Sequence, residues 1–443
     1  MELDMKHGNP TPVIVSFAIP IIFGNIFQQL YNTVDSVIVG KFRGESALAA
    51  IGVANPIMSI AIFLIFGICI GISVLLAQFY GAEKYTEFQE EVSTSLISGF
   101  IFTIILSIIC YFISKPILVL TKTPPEIVDM STRYLKIISG GLIFSFLYNF
   151  YSSALRSMGD SKTPFLFLVV SSVINIILDF IFVGIIGTGV EGAAVATVIS
   201  QGISSILCII YVYKTNYLLN LNKKQLVFKK NLLNKTLQYS WTSALQQTFL
   251  YVGRLLVQSV VNPFGISTVA AYNAAMRVEA LAFTPMDGIS SATSTFSAQN
   301  MGAGKLDRIR DGFKHSLLLN IIYGIFTAVF FIFLAEPVIS LFVDAKELSV
   351  IQIGGEYLKV MSVFYIICSC MYVLQGFFRG IGKLKVTIFA TGSQIVIRVI
   401  IANLLAPSIG IDGVCYATAV GWIWMLLSEG FLTFRYFKQT KKA

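Results

Sequence analysis

The stretch SSVINIILDFIFVG, residues 171–184, is almost wholly apolar but contains Asn175 and Asp179. These two residues are four apart, so on a helix they lie one turn apart on the same face. An aspartate that meets lipid costs about 2.5–3.5 kcal/mol on insertion scales, so Asp179 is expected to face protein or a water-filled cavity. The stretch therefore indicates an ion or proton site within a membrane helix, unless Asp179 lies at the membrane surface or pairs with a distant Lys or Arg.

The rest of the chain has the composition of a polytopic membrane protein. Of its 443 residues, 56% are hydrophobic and 12% are charged, whereas soluble proteins carry about 25% charged residues. The first apolar run is too long for a cleavable signal peptide and is expected to remain as a helix. The six cysteines all fall in apolar runs and are expected to be packing residues rather than disulfide partners or metal ligands. Runs of about 20 apolar residues predict twelve transmembrane helices, near residues 13–40, 52–79, 92–114, 132–156, 165–187, 190–213, 236–262, 267–298, 315–336, 354–378, 386–406 and 411–434.

The net charge of +9 is better explained by membrane topology than by a nucleic-acid site. If both termini are cytoplasmic, the inside loops and tails hold 21 of the 32 Lys and Arg residues, and the outside loops hold 8. The inside group includes a basic stretch from Lys214 to Lys235, which contains Lys223 and Lys224. This bias follows the positive-inside rule. We expect a multi-pass protein of the cell membrane, with both termini in the cytoplasm and no nucleic-acid partner.

Signatures of the first half of the chain recur in the second half at offsets of 218 to 223 residues. The matched pairs include Gln28-Gln29 with Gln246-Gln247, Ala77-Gln78 with Ala298-Gln299, Tyr134-Leu135-Lys136 with Tyr357-Leu358-Lys359, Arg156 with Arg379, and Gly189 with Gly410. Ordered matches at a near-constant offset indicate a tandem duplication of a six-helix unit. An even number of helices gives both halves the same orientation, and hence a pseudo-two-fold axis along the membrane normal. We predict an all-α membrane protein with an N-terminal lobe at 1–213, a basic cytoplasmic linker at 214–235 and a C-terminal lobe at 236–443.

A duplicated helix bundle with a site near the middle of the membrane is the architecture of an alternating-access transporter. A channel would more often carry filter loops between its helices, and none is evident. An enzyme would need a catalytic set, but His7 and His315 lie at predicted membrane surfaces and no HExxH or Gly-rich nucleotide motif is present. The intramembrane acids and the duplication also argue against a receptor or a structural protein. The sequence therefore predicts a secondary transporter without a cofactor.

Several ordered motifs together resemble the MATE family of multidrug and toxic compound exporters. They are QQLYNTVDSVIVG (28–40), ALAAIG (47–52), AQFYGA (77–82), ALRSMGDSKTP (154–164), NIILDFIFV (175–183) and GVEGAAVATVISQ (189–201). The resemblance covers essentially the whole chain. It implies export of small organic, often cationic compounds from the cell against an inward flow of Na⁺ or protons. We expect a monomer in the lipid bilayer.

The resemblance also implies where the coupling ion binds. In the DinF-like branch, the cation site of the N-terminal lobe uses an Asp of the first helix, an Asn and an Asp of the fifth, and a Thr of the sixth. These positions match Asp35, Asn175, Asp179 and Thr197. The NorM-like branch instead uses acids on the seventh and tenth helices. Here the seventh helix has Arg254 in the comparable region and the tenth has no acid, so the coupling chemistry is expected in the first lobe.

Two carboxylates, an amide and a hydroxyl form an all-oxygen set that suits a hard cation such as Na⁺. The same carboxylates could carry a proton instead, because two buried carboxylates that lie close together cannot both ionise cheaply. The sequence leaves both ions open. Neutralising either acid could let the helix that bears Asp35 bend near Pro20 and so shrink the substrate cavity.

The substrate cavity is expected to be apolar and aromatic, because aromatic faces suit cationic compounds and methionine offers adaptable apolar walls. Tyr134 and Asn149 also match polar cavity residues of the fourth helix in the family. The candidates for this cavity are Gln29, Tyr31, Tyr134, Asn149 and Met286.

A flippase for lipid-linked sugars, with a related helix bundle, is the alternative function. Such a protein would be expected to line its cavity with basic residues, whereas the N-terminal spans here offer acids. One basic residue does lie deep in the C-terminal lobe: Arg398, which aligns with Asn175. It is expected either to pair with Asp412 or Glu429 or to repel substrates.

Overall fold

The computed structural model describes residues 3–221, 225–344 and 346–440, and all regular structure in these residues is helical. This confirms the predicted all-α class. The α-helices of the described residues are α1 (Pro10–Gly81), α2 (Tyr85–Leu120), α3 (Pro125–Ser157), α4 (Lys162–Asp179), α5 (Gly189–Thr215), α6 (Lys230–Val261), α7 (Ile266–Gly302), α8 (Leu306–Ile339), α9 (Leu348–Ser362), α10 (Tyr365–Gly380), α11 (Leu384–Ile409) and α12 (Ile411–Thr440). In the described residues, seven spans are long and apolar enough to cross a membrane, and α9 with α10, bent by 60° at the break between them, make an eighth if they are counted as one span.

The first helix contains two of the predicted spans. With 72 residues α1 would be about 108 Å long if straight, against about 30 Å for the hydrocarbon core of a bilayer. Gly44 divides the helix, with φ 77° and ψ −173°, a conformation that glycine adopts without a steric penalty. The arms on either side of Gly44 correspond to the predicted spans near 13–40 and 52–79.

The α-helical hydrogen-bonding pattern of α4 changes immediately after Asp179. Residues Phe180–Ile186 form a π-helical segment, a rare geometry that is frequent at functional sites. Arg43, near the end of the first arm of α1, donates to the carbonyl oxygen of Val183 from Nε (3.1 Å) and from Nη2 (2.7 Å). These bonds fix the end of this span to the arm of α1 that carries Asp35.

Two compact units divide the chain, and their limits differ from the lobe boundaries expected from the sequence. The first unit consists of Leu3 and Phe23–Ala244, and the second of Asp4–Ile22 and the chain from Leu245 onwards. Both α1 and α6 therefore begin in one unit and continue in the other. The division of α1 falls between Ile22 and Phe23, within one turn of Pro20. The reason is physical: each part of a helix belongs to the unit against which its side chains pack. That packing need not change at the residue where the duplicated sequence begins.

The connection between the two halves is shorter than the predicted linker at 214–235. α5 ends at Thr215 and α6 begins at Lys230, so the predicted linker includes an end of each helix. Lys223 and Lys224, which the sequence analysis placed in this basic stretch, lie outside the described residues.

Within the first unit, α1 and α6 approach each other closely at two glycines of α1. A Cβ atom on Gly71 would lie 2.5 Å from both Cα and N of Ser240, and Gly67 lies in the same way against the backbone of Ala244. The Ser240 hydroxyl donates to the carbonyl oxygen of Ile68 at 3.0 Å. Small residues that let backbones approach are a common basis of helix association in membranes, so this contact stabilises the first unit.

We expect Gly71→Ala to destabilise the protein by about 1–3 kcal/mol, because the added methyl group meets backbone that cannot move aside. Gly52→Ala, in the same helix, is the matched control, since a Cβ atom there meets nothing within 4 Å. It should be neutral or slightly stabilising, because alanine favours helix over glycine. The measurement is the melting temperature of each purified variant in detergent. Equal melting temperatures for the two variants would show that the close approach does not contribute to stability.

Candidate functional site

Asp35 on the first arm of α1 and Asp179 at the end of α4 form an acid pair, in which the two carboxyl groups interact directly. Asp179 is fully buried, and Asp35 is partly buried with its Oδ1 atom enclosed. Among the described residues, no N–H or O–H group donates to either oxygen of Asp179 or to Oδ1 of Asp35. The ion pairs of the described residues include neither acid. Because a carboxylate cannot donate a hydrogen bond, a shared proton or a cation would stabilise the pair.

Asn175 lies one turn before Asp179 on the same face of α4, as the sequence predicts. Its side chain is 1% exposed, and both its amide nitrogen and its amide oxygen lack a hydrogen-bond partner. More than about 90% of buried polar groups in proteins are hydrogen-bonded, so an unpartnered amide beside the acid pair indicates a ligand. Its oxygen offers a neutral donor to a cation.

The position of Thr197 follows from the packing of α4 on α5, which are consecutive antiparallel helices. The Ser171 hydroxyl donates to the carbonyl oxygen of Ser200 at 2.9 Å. One turn further along α4 is Asn175, and one turn back along α5 is Thr197, so the two lie at the same level of the helix pair. The Thr197 hydroxyl donates to the carbonyl of Ala193 in its own helix at 3.0 Å. Its oxygen lone pairs therefore remain able to bind a cation.

The other predicted residues divide between the two units. Tyr134 on α3 is 6% exposed and interacts electrostatically with the acid pair and with Tyr31. Gln29 and Tyr31 lie on the same arm of α1 as Asp35, and the amide of Asn149 donates to a carbonyl of its own helix at 2.8 Å. Met286 differs from these residues. It lies in the second unit, where its side chain is 0% exposed within the hydrophobic core, so it packs against core side chains.

A buried polar chain in the second unit includes an acid that the sequence analysis did not treat as a site residue. The amide nitrogen of Gln246 on α6 donates to the side-chain oxygen of Gln375 on α10 and to Thr391 Oγ1 at 3.2 Å. The amide nitrogen of Gln375 in turn donates to Oε1 of Glu429 on α12. Glu429 is 0% exposed, and its Oε2 atom has no partner. Glu429 lies inside an apolar run, which is the same sequence signal that identified Asp179. Glu429 could therefore have been identified in the same way.

The expectation that Arg398 pairs with Asp412 or Glu429 is wrong for the described residues, whose ion pairs do not include Arg398. Glu429 is held instead by the amide of Gln375, and the acid that interacts electrostatically with Arg398 is Glu279 on α7. Helix rotation places Glu279 on the buried side of α7, and a sequence offset cannot reveal which helices meet there.

Glu91 on α2 is a further buried acid that the sequence analysis passed over. It is 0% exposed and accepts hydrogen bonds from the hydroxyls of Ser95 (2.5 Å) and Thr236 (2.6 Å). It lies at the polar edge of a predicted span, where an acid normally meets water, so the sequence pattern gave no reason to expect its burial. Its two donors distinguish it from Asp179, neither of whose carboxyl oxygens has a hydrogen-bond partner in the described residues.

The donor set around the acid pair suits a hard monovalent cation. The described part of the chain contains no group of three or more His, Cys, Asp or Glu side chains that could hold a metal ion. The predicted set of Asp35, Asn175, Asp179 and Thr197 offers two carboxylates, an amide oxygen and a hydroxyl oxygen. Oxygen-only donors favour Na⁺ over the softer transition metals, and the contact between the two carboxyl groups suits a proton equally well.

Comparison with known proteins agrees with the duplicated helical fold. The family model for MatE matches the chain twice, over residues 20–181 and 243–404, so the second match is displaced from the first by 223 residues. This confirms the duplication. The chain is 30% identical to the probable multidrug resistance protein YoeA of Bacillus subtilis over 374 residues, 83% of this chain and 80% of that protein.

A second relative covers nearly the whole chain. The probable multidrug resistance protein YpnP of Bacillus subtilis is 27% identical over 434 residues, 98% of this chain and 96% of that protein. Among solved structures, the outward-facing conformation of a multidrug resistance MATE family transporter of the MOP superfamily matches with a TM-score of 0.92 at 22% identity. The match covers 98% of this chain and 97% of that one, so the two proteins share a fold.

A duplicated bundle of apolar helices with an unneutralised acid pair buried inside one unit defines a membrane transporter rather than an enzyme. The chain belongs to the MATE family, as the two matches to its model show. Transporters of this family need no cofactor, and their coupling ion is a substrate of the exchange.

Asn175→Ala and Thr197→Ala should each weaken binding of the coupling ion while leaving the protein folded. The alternative from the sequence is that these residues only join helices, but neither forms a side-chain bond to another helix in the described residues. A lost polar contact in a membrane site is worth about 1–2 kcal/mol, so the ion concentration for half-saturation should rise roughly five- to thirty-fold. The melting temperature of the purified protein is measured as a function of Na⁺ concentration and, in a separate series, as a function of pH. The midpoint of each curve gives the ion concentration for half-saturation. An unchanged midpoint in a destabilised protein would refute the ligand role.

Proposed function

We propose that this protein is a secondary active exporter of small organic compounds, driven by entry of a cation at the acid pair. The observation that carries the proposal is the contact between two buried carboxyl groups to which the described chain offers neither a cation nor a hydrogen-bond donor. The names of the relatives, which are probable multidrug resistance proteins, support export of organic compounds.

The coupling follows from electrostatics. Two unit charges about 4 Å apart repel by about 4 kcal/mol at an effective dielectric constant of 20, so the closed acid pair is stable only when a Na⁺ ion or a proton neutralises it. A ligand shifts a conformational equilibrium only by its differential affinity. The ion therefore favours the conformation in which Asp35 and Asp179 meet, and the exported compound favours one in which they are apart.

The oxygens of Asn175 and Thr197 support a Na⁺ site of the DinF-like kind, and the direct contact between the carboxyl groups supports proton binding at the same place. The carboxyl group of Asp35 and the exposed aromatic side chains on this arm of α1 favour cationic substrates. We place the protein in the cell membrane as a monomer, with both termini in the cytoplasm, in keeping with its basic inside loops. The flippase alternative is less well supported, because the polar site of the first unit is acidic.

Asp35→Asn should abolish concentrative efflux while the protein still folds, because the amide removes the negative charge that attracts the ion and keeps the shape of the side chain. Asp129→Asn is the matched control: Asp129 is an exposed acid paired with Lys115 at 3.0 Å, and its loss should leave efflux unchanged. Efflux of a fluorescent organic cation from proteoliposomes under an imposed Na⁺ or proton gradient is the readout. Gradient-driven efflux by the Asp35→Asn protein at the wild-type rate would refute the proposal.

Replacing polar or charged side chains by uncharged ones should affect ion coupling in the first unit but not in the second. Asp179→Asn should stop ion-coupled transport, whereas Gln375→Ala should at most change the range of exported compounds, because Gln375 is an uncharged link in a hydrogen-bonded chain. Glu429→Gln is the stricter comparison, since it neutralises the buried acid at the end of that chain. The ion dependence of transport, measured for all three variants, tests the asymmetry. Equal loss of ion coupling in Asp179→Asn and Glu429→Gln would show that the second unit also carries a coupling site.

A further inference from the structure

The internal repeat gives every residue around the acid pair a counterpart in the second unit. Under the 223-residue offset, Asn175 corresponds to Arg398 on α11, and Tyr134 corresponds to Tyr357 on α9. Tyr357 interacts electrostatically with Glu279, Tyr272 and Arg398, and Tyr272 also interacts with Arg398, so these side chains lie near one another. The phenol is kept in both units, as Tyr134 and Tyr357. The difference is that the second unit has the guanidinium group of Arg398 where the first has the amide of Asn175.

Both counterparts carry hydrogen-bond donors that nothing in the described chain satisfies. The Tyr357 side chain is 0% exposed, and its hydroxyl has no partner. The Nε atom of Arg398 is buried and also has no partner. Arg398 takes part in none of the ion pairs of the described residues. An unneutralised cation in a membrane span is costly and marks a functional site more often than a structural one.

The neighbouring groups do not supply the missing anion. Glu279 on α7 is the acid that interacts with Arg398, but its carboxylate accepts a hydrogen bond from the Tyr365 hydroxyl at 2.8 Å and forms no ion pair within 4 Å in the described residues. Glu279 also interacts with a second cation, Arg254 on α6. Glu279 therefore interacts with two guanidinium groups at once while it already accepts a hydrogen bond.

We propose that the cluster of Arg398, Tyr357 and Tyr272 in the second unit binds an anionic group, a carboxylate or a phosphate ester, of the exported compound. Tyr272 packs edge-on against Tyr357, with their ring centroids 5.6 Å apart, and interacts with Arg398. Arg398 supplies charge and a directed N–H, and Tyr357 supplies an O–H. Guanidinium groups suit planar anions because their N–H donors form a fixed fork. This inference rests on the proposed export function and adds that the cationic substrates it prefers also carry an anionic group.

The test uses two dyes that differ at one position: a zwitterionic rhodamine with a free benzoate carboxylate, and its methyl ester. Binding to the purified full-length protein is measured by fluorescence anisotropy in detergent, which does not depend on transport. The wild type should bind the acid more tightly than the ester. Arg398→Gln should weaken binding of the acid by about ten-fold or more, the usual loss for a charged hydrogen bond, and leave binding of the ester unchanged. Competition with benzoate and with inorganic phosphate then tells which anion the site prefers.

Arg277→Gln is the matched control. Arg277 is an exposed arginine of the same unit, two residues from Glu279 but not among the groups that interact with it, and its loss should change neither dye. If Arg398→Gln does not fold, Tyr357→Phe and Arg398→Lys provide the same comparison, with a smaller selective loss for the acid expected in each. Melting temperatures separate a binding defect from misfolding.

Equal affinity of the wild type for the two dyes, or an equal effect of Arg398→Gln on both, would overturn the proposal. Tighter binding of the ester by Arg398→Gln, with no change for the acid, would also overturn it and show that Arg398 repels cations. Selective binding of the acid by a protein that exports neither dye would support the anion site and contradict the proposed export function. The two claims can therefore fail separately.

Discussion

The meeting of a buried and a partly buried carboxyl group, with no ion pair to either among the described residues, is the constraint on which the rest of this structure depends. Asp35 and Asp179 come from different helices, so their contact fixes how the first arm of α1 meets α4. Like charges at this distance repel strongly in a low-dielectric interior. The acid pair is therefore a site that is stable only when a cation or a proton from outside the protein binds there. An ion gradient across the membrane can drive binding at such a site.

The duplication supplied one scaffold twice, and the two copies now carry opposite chemistry. In the first unit the deep positions of the bundle hold acids and an unpartnered amide. In the second unit Arg398 replaces the amide of Asn175, and Arg398 Nε and the hydroxyl of Tyr357, the counterpart of Tyr134, have no partner among the described residues. Glycines and small residues, such as Gly71 against Ser240, keep the same close packing that any such bundle requires. Packing residues were free to stay alike, while the polar residues diverged into different sites.

Much of the fold and of the first site could be predicted from the sequence. The lengths of the apolar runs predicted the helices, and the near-constant offset between matched motifs predicted the repeat. The four-residue spacing of Asn175 and Asp179 predicted that both lie on one buried face of α4. Other features depend on which helices meet in space. The break at Gly44 lies between two predicted spans, but the π-helical segment after Asp179 has no signal in its residues.

The same limit explains the residues that the sequence misplaced or passed over. Burial of Glu91 depends on two hydroxyls, one of them on α6, and Met286 lies in the core because of its neighbours in the second unit. The division of α1 at Ile22 and Phe23 likewise follows from packing, which composition does not record.

The central claim is that the acid pair holds a single positive charge that the protein itself does not supply. Infrared difference spectroscopy of the carboxyl stretching region tests it directly, on purified wild-type protein and on the Asp179→Asn variant in Na⁺-free buffer at neutral pH. The account predicts a protonated-carboxyl band in the wild type that the variant lacks and that added Na⁺ diminishes. Identical carboxyl spectra for the two proteins, unaffected by Na⁺, would contradict it.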